Sequence, residues 1–282
     1  MSADLQSVAL PRKGVKGVLN FEQIGKIIAV IKDSSSETKK SKKVKAKHST
    51  PNEELYVCDN KQAKEVRHPE EIVVLDDDHH FQLAINQDTE RQIGYVVGAS
   101  SSGKSYFVKQ FAMEYHRVYP SRPIFIISAL SEDSTLDSLK CLQRIKLSES
   151  FIEEDFKAVD FENSLMILDD TDTITNKKIL QKVNQIRDDI LQCGRHNNVS
   201  CLITSHTACN GIQTRLCLNE SHFITFFPSG LGGRALKYLL ENYLGFDKQQ
   251  IKRVKSIDSR AITIIKGFPQ VILAERECYL LD

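Results

Sequence analysis

No stretch of about 18 consecutive apolar residues occurs anywhere in the 282-residue chain, so no segment is long enough to span a bilayer as a helix. The opening MSADLQSVALPRKG has no apolar core of the kind a secretory signal needs. The expectation is a soluble, intracellular protein. Also missing is any C-x-x-C pair, and the seven cysteines are odd in number. Neither a disulfide framework nor a structural zinc site is indicated. Cys193, Cys201, Cys209 and Cys217 recur every eight residues but fall in different elements, and they read as reduced, mostly buried thiols. What is present in quantity is apolar material, 41% of the chain, enough for the core of one large domain or two modest ones.

The most informative stretch is RQIGYVVGASSSGKSYFVKQFAMEY, residues 91–115. Ile93, Tyr95, Val96 and Val97 form a short apolar run suited to a buried strand. Residues 98–105 then fit G-x-x-x-x-G-K-[ST] at every fixed position. Gly98 and Gly103 permit backbone angles that let the N–H groups of Ala99, Ser100, Ser101 and Ser102 turn inward around a polyphosphate. Lys104 brings a positive charge to the β and γ phosphates, and the Ser105 hydroxyl is a ligand for Mg²⁺. Phe107, Val108, Phe111, Ala112 and Tyr115 give the next helix one apolar face, and its positive end points at the same anion. The expected cofactors are ATP and Mg²⁺.

Charge is distributed unevenly. Residues 1–50 hold eleven Lys/Arg against four Asp/Glu, a surplus of seven, while the whole chain is at +1. Such an arm suits an anionic partner such as nucleic acid, or is a solvated linker. Phe21, Ile24, Ile27, Ile28 and Ile31 fit a helix face, although 27–31 fits a strand equally. Residues 33–50, polar and lysine-rich, read as a flexible tether. Strand-like runs at 55–58, 72–75 and 81–85 suggest a small β element, and DDDHH at 76–80 reads as a solvated turn. The expected organisation is a basic arm over 1–50, a β-rich lead-in over 51–90 and a nucleotide-binding domain over 91–282.

Downstream, PIFIIS at 123–128 reads as a second buried strand, and 131–160 as a polar segment with helical stretches. SLMILDD at 164–170 is a hydrophobic run ending in two carboxylates, as in a Walker B strand. Asp169 is placed to hold Mg²⁺ through its water shell and Asp170 to orient or deprotonate the attacking water. The pattern at 176–192 predicts an amphipathic helix with Ile179, Leu180, Val183, Ile186, Ile190 and Leu191 on one face, ended by Gly194. Residues 199–204 form another buried strand, with Ser205 and His206 just past its carboxyl end. In an open parallel sheet that end faces ligands, so His206 is either a γ-phosphate sensor or a core histidine. Arg195, before the same strand, is either a helix cap or a cation offered to a neighbouring subunit. Ala235, Leu239, Leu240 and Tyr243 line a further helix closed by Gly245, and 261–265 with 271–274 form a hairpin. Lys248, Lys252, Arg253 and Lys255 make a basic stretch that is a solvated face or a contact for DNA phosphates or a capsid.

GASSSGKS, SLMILDD, and the helix running into CGRHNNVSCLITSH together resemble the genome-packaging ATPases of large double-stranded DNA viruses and virophages, the vaccinia-type branch of the FtsK-HerA superfamily. The likeness includes PIFIISALSEDSTLD, HFITFFPSG and the closing SRAITIIKGFPQVILAERECYLL, and so spans about residues 91–282. It implies an α/β, RecA-like P-loop core with a mostly parallel sheet flanked by helices and a C-terminal β-hairpin extension. The strand ending at His206 would then lie between the P-loop and Walker B strands. It further implies a homo-oligomeric ring that hydrolyses ATP to drive double-stranded DNA into a preformed capsid, docked on capsid or portal-vertex proteins in the host cytoplasm. Gly98, Gly103, Lys104 and Ser105 match the family's P-loop, Asp169 and Asp170 its Walker B pair, and Arg195 its candidate trans-acting finger. His206 stands where many members have Gln.

Other readings are another DNA pump or helicase-like translocase of the same superfamily, and an ATP-gated DNA-binding scaffold without turnover. A GTPase switch is disfavoured because TNKKI at 175–179 lacks the Asp of a base-reading motif and no D-x-x-G follows the second strand. No Arg-rich lid stands out, which argues against a small-molecule kinase.

Overall fold

A computed structural model describes residues 17–33, 47–48, 50–67, 73–75, 78–87, 91–267 and 269–281. Most of the lysine-rich tether and two of the five DDDHH positions lie outside the described residues. The chain forms two compact units, Met1–Asp88 with Ile257–Asp282, and Thr89–Ser256.

The first unit opens with β1 (Gly17–Asn20), β2 (Lys26–Asp33), β3 (Lys47–His48), β4 (Glu54–Asp59), β5 (Val73–Val74) and β6 (His79–Leu83). Four of these make an antiparallel sheet in the order β1-β4-β2-β6, and β3 pairs with β5 in a separate parallel bridge. Residues 28–31 of β2 are all buried. That is why apolar periodicity fitted helix and strand alike: a strand covered on both faces does not alternate. The Asn20 side chain accepts from the N–H groups of Glu22 and Ile24 and shapes the turn between the first two strands.

The second unit holds β7 (Ile93–Val97), α1 (Lys104–Val118), β8 (Ile124–Ser128), β9 (Leu142–Arg144), α2 (Glu149–Glu153) and β10 (Leu165–Asp169). Then follow α3 (Lys177–Cys193), β11 (Ser200–Ser205), α4 (Ile212–Glu220), β12 (Phe223–Phe226), α5 (Gly233–Tyr238) and α6 (Lys248–Ser256). Its strands run β12-β7-β11-β10-β8-β9, and every neighbouring pair is parallel. β11 therefore lies between the phosphate-loop strand β7 and the acid-bearing strand β10, as the family resemblance implied. Strands β7, β10 and β11 are buried at every residue, the pattern of a parallel sheet covered on both faces.

Helix α1 buries Val108, Phe111, Ala112 and Tyr115, four of its five expected apolar positions. Helix α3 begins at Asn176, whose side chain accepts from the N–H groups of Lys178 and Ile179. At its other end Arg91 donates to the carbonyls of Ile190 (2.7 Å) and Leu191 (2.9 Å). Gly194 does close this helix, but for want of space rather than for a left-handed turn. Its φ is −63°, and a Cβ there would lie 2.4 Å from the Ile190 carbonyl oxygen and 2.9 Å from Arg91 Nη1.

The chain's last segment supplies β13 (Ile262–Ile265), β14 (Val271–Ala274) and β15 (Cys278–Leu280) to the first unit. β13 and β14 form the expected antiparallel hairpin, with Ile262 opposite Ala274 and Ile265 opposite Val271, and β15 pairs antiparallel with β14. Backbone ties it to the opening strands, the Phe81 N–H donating to the Glu275 carbonyl at 2.8 Å. Among the described residues no helix is long and apolar enough to cross a membrane.

Candidate nucleotide site

All six strands of the second unit run the same way, so their carboxyl ends gather the site on one edge of the sheet. Strand β7 leads into the loop at 98–103 and then into α1. Gly103, the N-cap of α1, has φ 119°, and Ser101 has φ 61°. These left-handed positions turn consecutive N–H groups toward one side, the form of an anion nest. A Cβ on Gly98 would stand 2.5 Å from Ser102 Oγ and 2.9 Å from Phe227 Cδ2, so only glycine fits. The Gly98 N–H donates to the Ser205 carbonyl at 3.2 Å, which fixes the loop's start to β11. Ser100 and Ser101 are exposed, and Ser105, in the first turn of α1, is half-buried.

Lys104 is buried, its ammonium turned back across the loop. It donates to the carbonyls of Gly98 (3.0 Å) and Ala99 (3.4 Å) and stands 3.3 Å from His206 Nδ1 and 3.5 Å from Asp170 Oδ2. The other ring nitrogen of His206, Nε2, is 3.0 Å from the same Asp170 oxygen. An ammonium only donates, so Nδ1 accepts from it and Nε2–H donates to Asp170. Lysine, histidine and aspartate thus close a ring of contacts at the end of the phosphate loop.

Asp169 is 3% exposed at the last residue of β10. Ser128 Oγ, at the end of β8, donates to its Oδ2 (3.2 Å), and Thr204 Oγ1 of β11 donates to its Oδ1 (2.9 Å). Burial is the main force raising the Asp169 pKa above the usual carboxylate value, and the Asp170 charge adds to it; the two hydroxyls oppose the shift. Asp170 itself has φ 46° and ψ 36°, a left-handed conformation that aspartate tolerates better than most residues. Its N–H donates to Thr204 Oγ1 at 2.8 Å. Thr204 Oγ1 is also 3.0 Å from Asp170 Oδ1, so the one hydroxyl proton is shared between two acids. Beyond them Ser205 Oγ donates to Asp172 Oδ2 (2.8 Å), and Tyr95 OH donates to the Thr207 carbonyl (2.7 Å).

A buried carboxylate beside hydroxyl donors, with a serine hydroxyl opening the adjacent helix, is a hard-oxygen set that fits Mg²⁺. That ion takes few protein ligands and completes its shell with water and phosphate. Ser105 and Asp169 are the residues that would hold it, and the ion would supply charge neutralisation for the phosphates.

The structure therefore gathers Gly98, Gly103, Lys104, Asp169, Asp170 and His206 at one edge. Arg195 is elsewhere. It is exposed in the turn before β11, at the amino ends of the strands and hence at the opposite edge of the sheet. Ser128 and Thr204 are the residues that sequence reasoning passed over. Their signal was their place as the last or next-to-last residue of an apolar strand run.

A phosphate loop after one strand, an acid pair at the end of another and, between them, a buried strand with polar residues at its carboxyl end define this unit as a P-loop nucleoside-triphosphatase fold. Comparison with known proteins then narrows the kinship. The chain is 40% identical over 189 residues to the uncharacterised protein V3 of Sputnik virophage, covering 66% of this chain and 75% of that protein. The chain belongs to the family of that virophage protein. No protein-family profile matches the sequence. Among solved structures, the chain is similar to B204, the DNA-packaging ATPase of Sulfolobus turreted icosahedral virus, at 14% identity and a TM-score of 0.46, over 66% of this chain and 98% of that one. It is also similar to the cytoplasmic domain of the type VII secretion ATPase EccC of Thermomonospora curvata, at 12% identity and a TM-score of 0.47, over 66% of this chain and 25% of that one.

Proposed function

We propose that the protein is an ATP-hydrolysing motor that moves double-stranded viral DNA into a preformed capsid, working as a homo-oligomeric ring. The observation that carries the hydrolytic part is the Asp170 carboxylate, held in a left-handed turn between Lys104 and His206 beside the buried Asp169. A scaffold that only bound nucleotide would have no use for a second acid in that position.

The chemistry follows from the contacts. A polyphosphate in the loop competes for the Lys104 ammonium and draws it from Asp170 and His206. The Asp170 carboxylate is then free to accept a hydrogen bond from water. As that water's oxygen bonds to the γ-phosphorus, the bond from γ-phosphorus to the bridging oxygen breaks, ADP departs, and the water's proton passes to Asp170. His206 Nε2–H, until then on Asp170, is the donor that can turn to the γ-phosphate. It makes the arrangement of Asp170 depend on whether that phosphate is present.

Support for DNA packaging comes from the sequence resemblance to viral packaging ATPases, and the virophage relative adds a viral setting. Arg195 enters as a residue acting on the next subunit's nucleotide, since its own site lies across the sheet. Capsid or portal-vertex proteins are the expected docking partners, and host cytoplasm the expected place of assembly. The test is steady-state ATP hydrolysis with and without linear double-stranded DNA, with Lys104→Ala as the blank. DNA should stimulate the wild-type rate several-fold, and hydrolysis indifferent to DNA would contradict the motor.

A further inference from the structure

The acid pair, His206 and Lys104 fix which way round a nucleotide lies. Asp169 and Asp170 follow β10 and His206 follows β11, and both strands lie on one side of β7. The γ-phosphate end belongs there. The ribose and base must then leave the loop on the other side of β7, where β12 is the neighbour.

Residues 227–230 run along that side and are packed onto the phosphate loop. The Phe227 N–H donates to the Val97 carbonyl at 3.2 Å, and the Phe227 ring closes against Gly98. A Cβ on Gly230 would be 3.0 Å from Ala99 Cβ and 3.1 Å from Ala99 N, so the chain here lies directly against the loop. Immediately afterwards the crowding ends. A Cβ on Gly232 or Gly233 would meet nothing within 4 Å. Arg234 follows, exposed, with no hydrogen bond or ion pair among the described residues. Four residues of chain place it at most about 14 Å from Gly230, close enough for its side chain to reach a base that leaves the loop on this side.

We propose that residues 231–234 form the receptor for the ribose and base of the nucleotide, with the Arg234 guanidinium stacking on the base. The planar, weakly hydrated guanidinium is suited to the face of a purine, and the open space at Gly232 and Gly233 admits a flat ring beside the backbone. This inference rests on the nucleotide-binding reading of the loop and adds the half of the ligand that the loop itself does not contact.

The experiment is calorimetric titration of the full chain with ATP, ADP and inorganic tripolyphosphate, using Arg234→Ala and Gly232→Val. Each variant's melting temperature without ligand is recorded alongside. Valine at Gly232 suits the φ of −60° and ψ of 135° found there and enters empty space, so the expected cost is that of a poorer N-cap for α5, which the melting temperature reads. Both variants should weaken ATP and ADP by the same factor, about tenfold for the lost stacking, while tripolyphosphate binds as in wild type. Unchanged ATP and ADP affinity in both variants would overturn the proposal. So would a loss in Arg234→Ala confined to ATP and tripolyphosphate, which would put the arginine on the γ-phosphate. Wild-type protein that binds none of the three ligands would instead overturn the nucleotide reading itself.

Discussion

Thr204 has one hydroxyl proton and two carboxylates within 3.0 Å of its oxygen, and the same oxygen accepts the Asp170 N–H. It couples Asp169 to Asp170. Replacing Thr204 by valine should lower apparent Mg²⁺ affinity in the ATPase assay by about 10- to 100-fold, as losses behind a metal ligand do, and serine should restore most of it. Asp170→Asn should cut kcat by at least about 100-fold, the usual contribution of a positioned base, with little change in KM for ATP. Asp169 makes the opposite demand on the fold. Its pKa is raised in the folded protein, mainly by burial, so folding becomes less favourable as pH rises from the ordinary carboxylate range through that raised value. Asp169→Asn should therefore abolish hydrolysis yet melt at a higher temperature than wild type at pH 7. That difference should shrink as pH falls below the raised pKa, and thermal melts at several pH values measure it.

Elements were legible where burial wrote a continuous apolar run. Strands β7, β8, β10 and β11 begin and end within two residues of the runs that announced them, because a fully covered parallel strand needs apolar residues on both faces. The edge strand β9, with the sequence LQR and no buried residue, had no such signal and was absorbed into a segment read as polar and mixed. In β2 the same full burial that makes a good strand erased the alternation that would have distinguished it from a helix. The phosphate loop and the acid pair were readable because phosphate chemistry fixes residue type and spacing. The hydroxyls of Ser128 and Thr204 were not, because they meet Asp169 only through the pairing of β10 with β8 and β11. The closing contact of α3 was likewise hidden, Arg91 being about a hundred positions from the carbonyls it caps. Arg91→Ala should cost roughly 1.5–3 kcal/mol, as for a hydrogen bond from a charged donor, and denaturant unfolding reads it directly.

At the scale of the whole molecule, the first unit draws strands from both ends of the chain, and the second holds the complete phosphate loop and acid pair. No local pattern could have announced that Ile257–Asp282 joins the opening strands, since the pairing is long-range. The position of Arg195 at the amino ends of the strands also matters at this scale, because an arginine there serves a nucleotide only if the nucleotide belongs to another copy. Arg195→Ala subunits mixed into wild type should reduce ATPase activity by more than their mole fraction, and a strictly proportional loss would remove the arginine from the catalytic cycle. The most direct test of the motor is displacement of a fluorescent third strand from linear duplex DNA. The wild-type protein should strip it in an ATP-dependent manner, and Asp170→Asn should not. Vigorous ATP hydrolysis on the same DNA with the third strand left in place would contradict translocation.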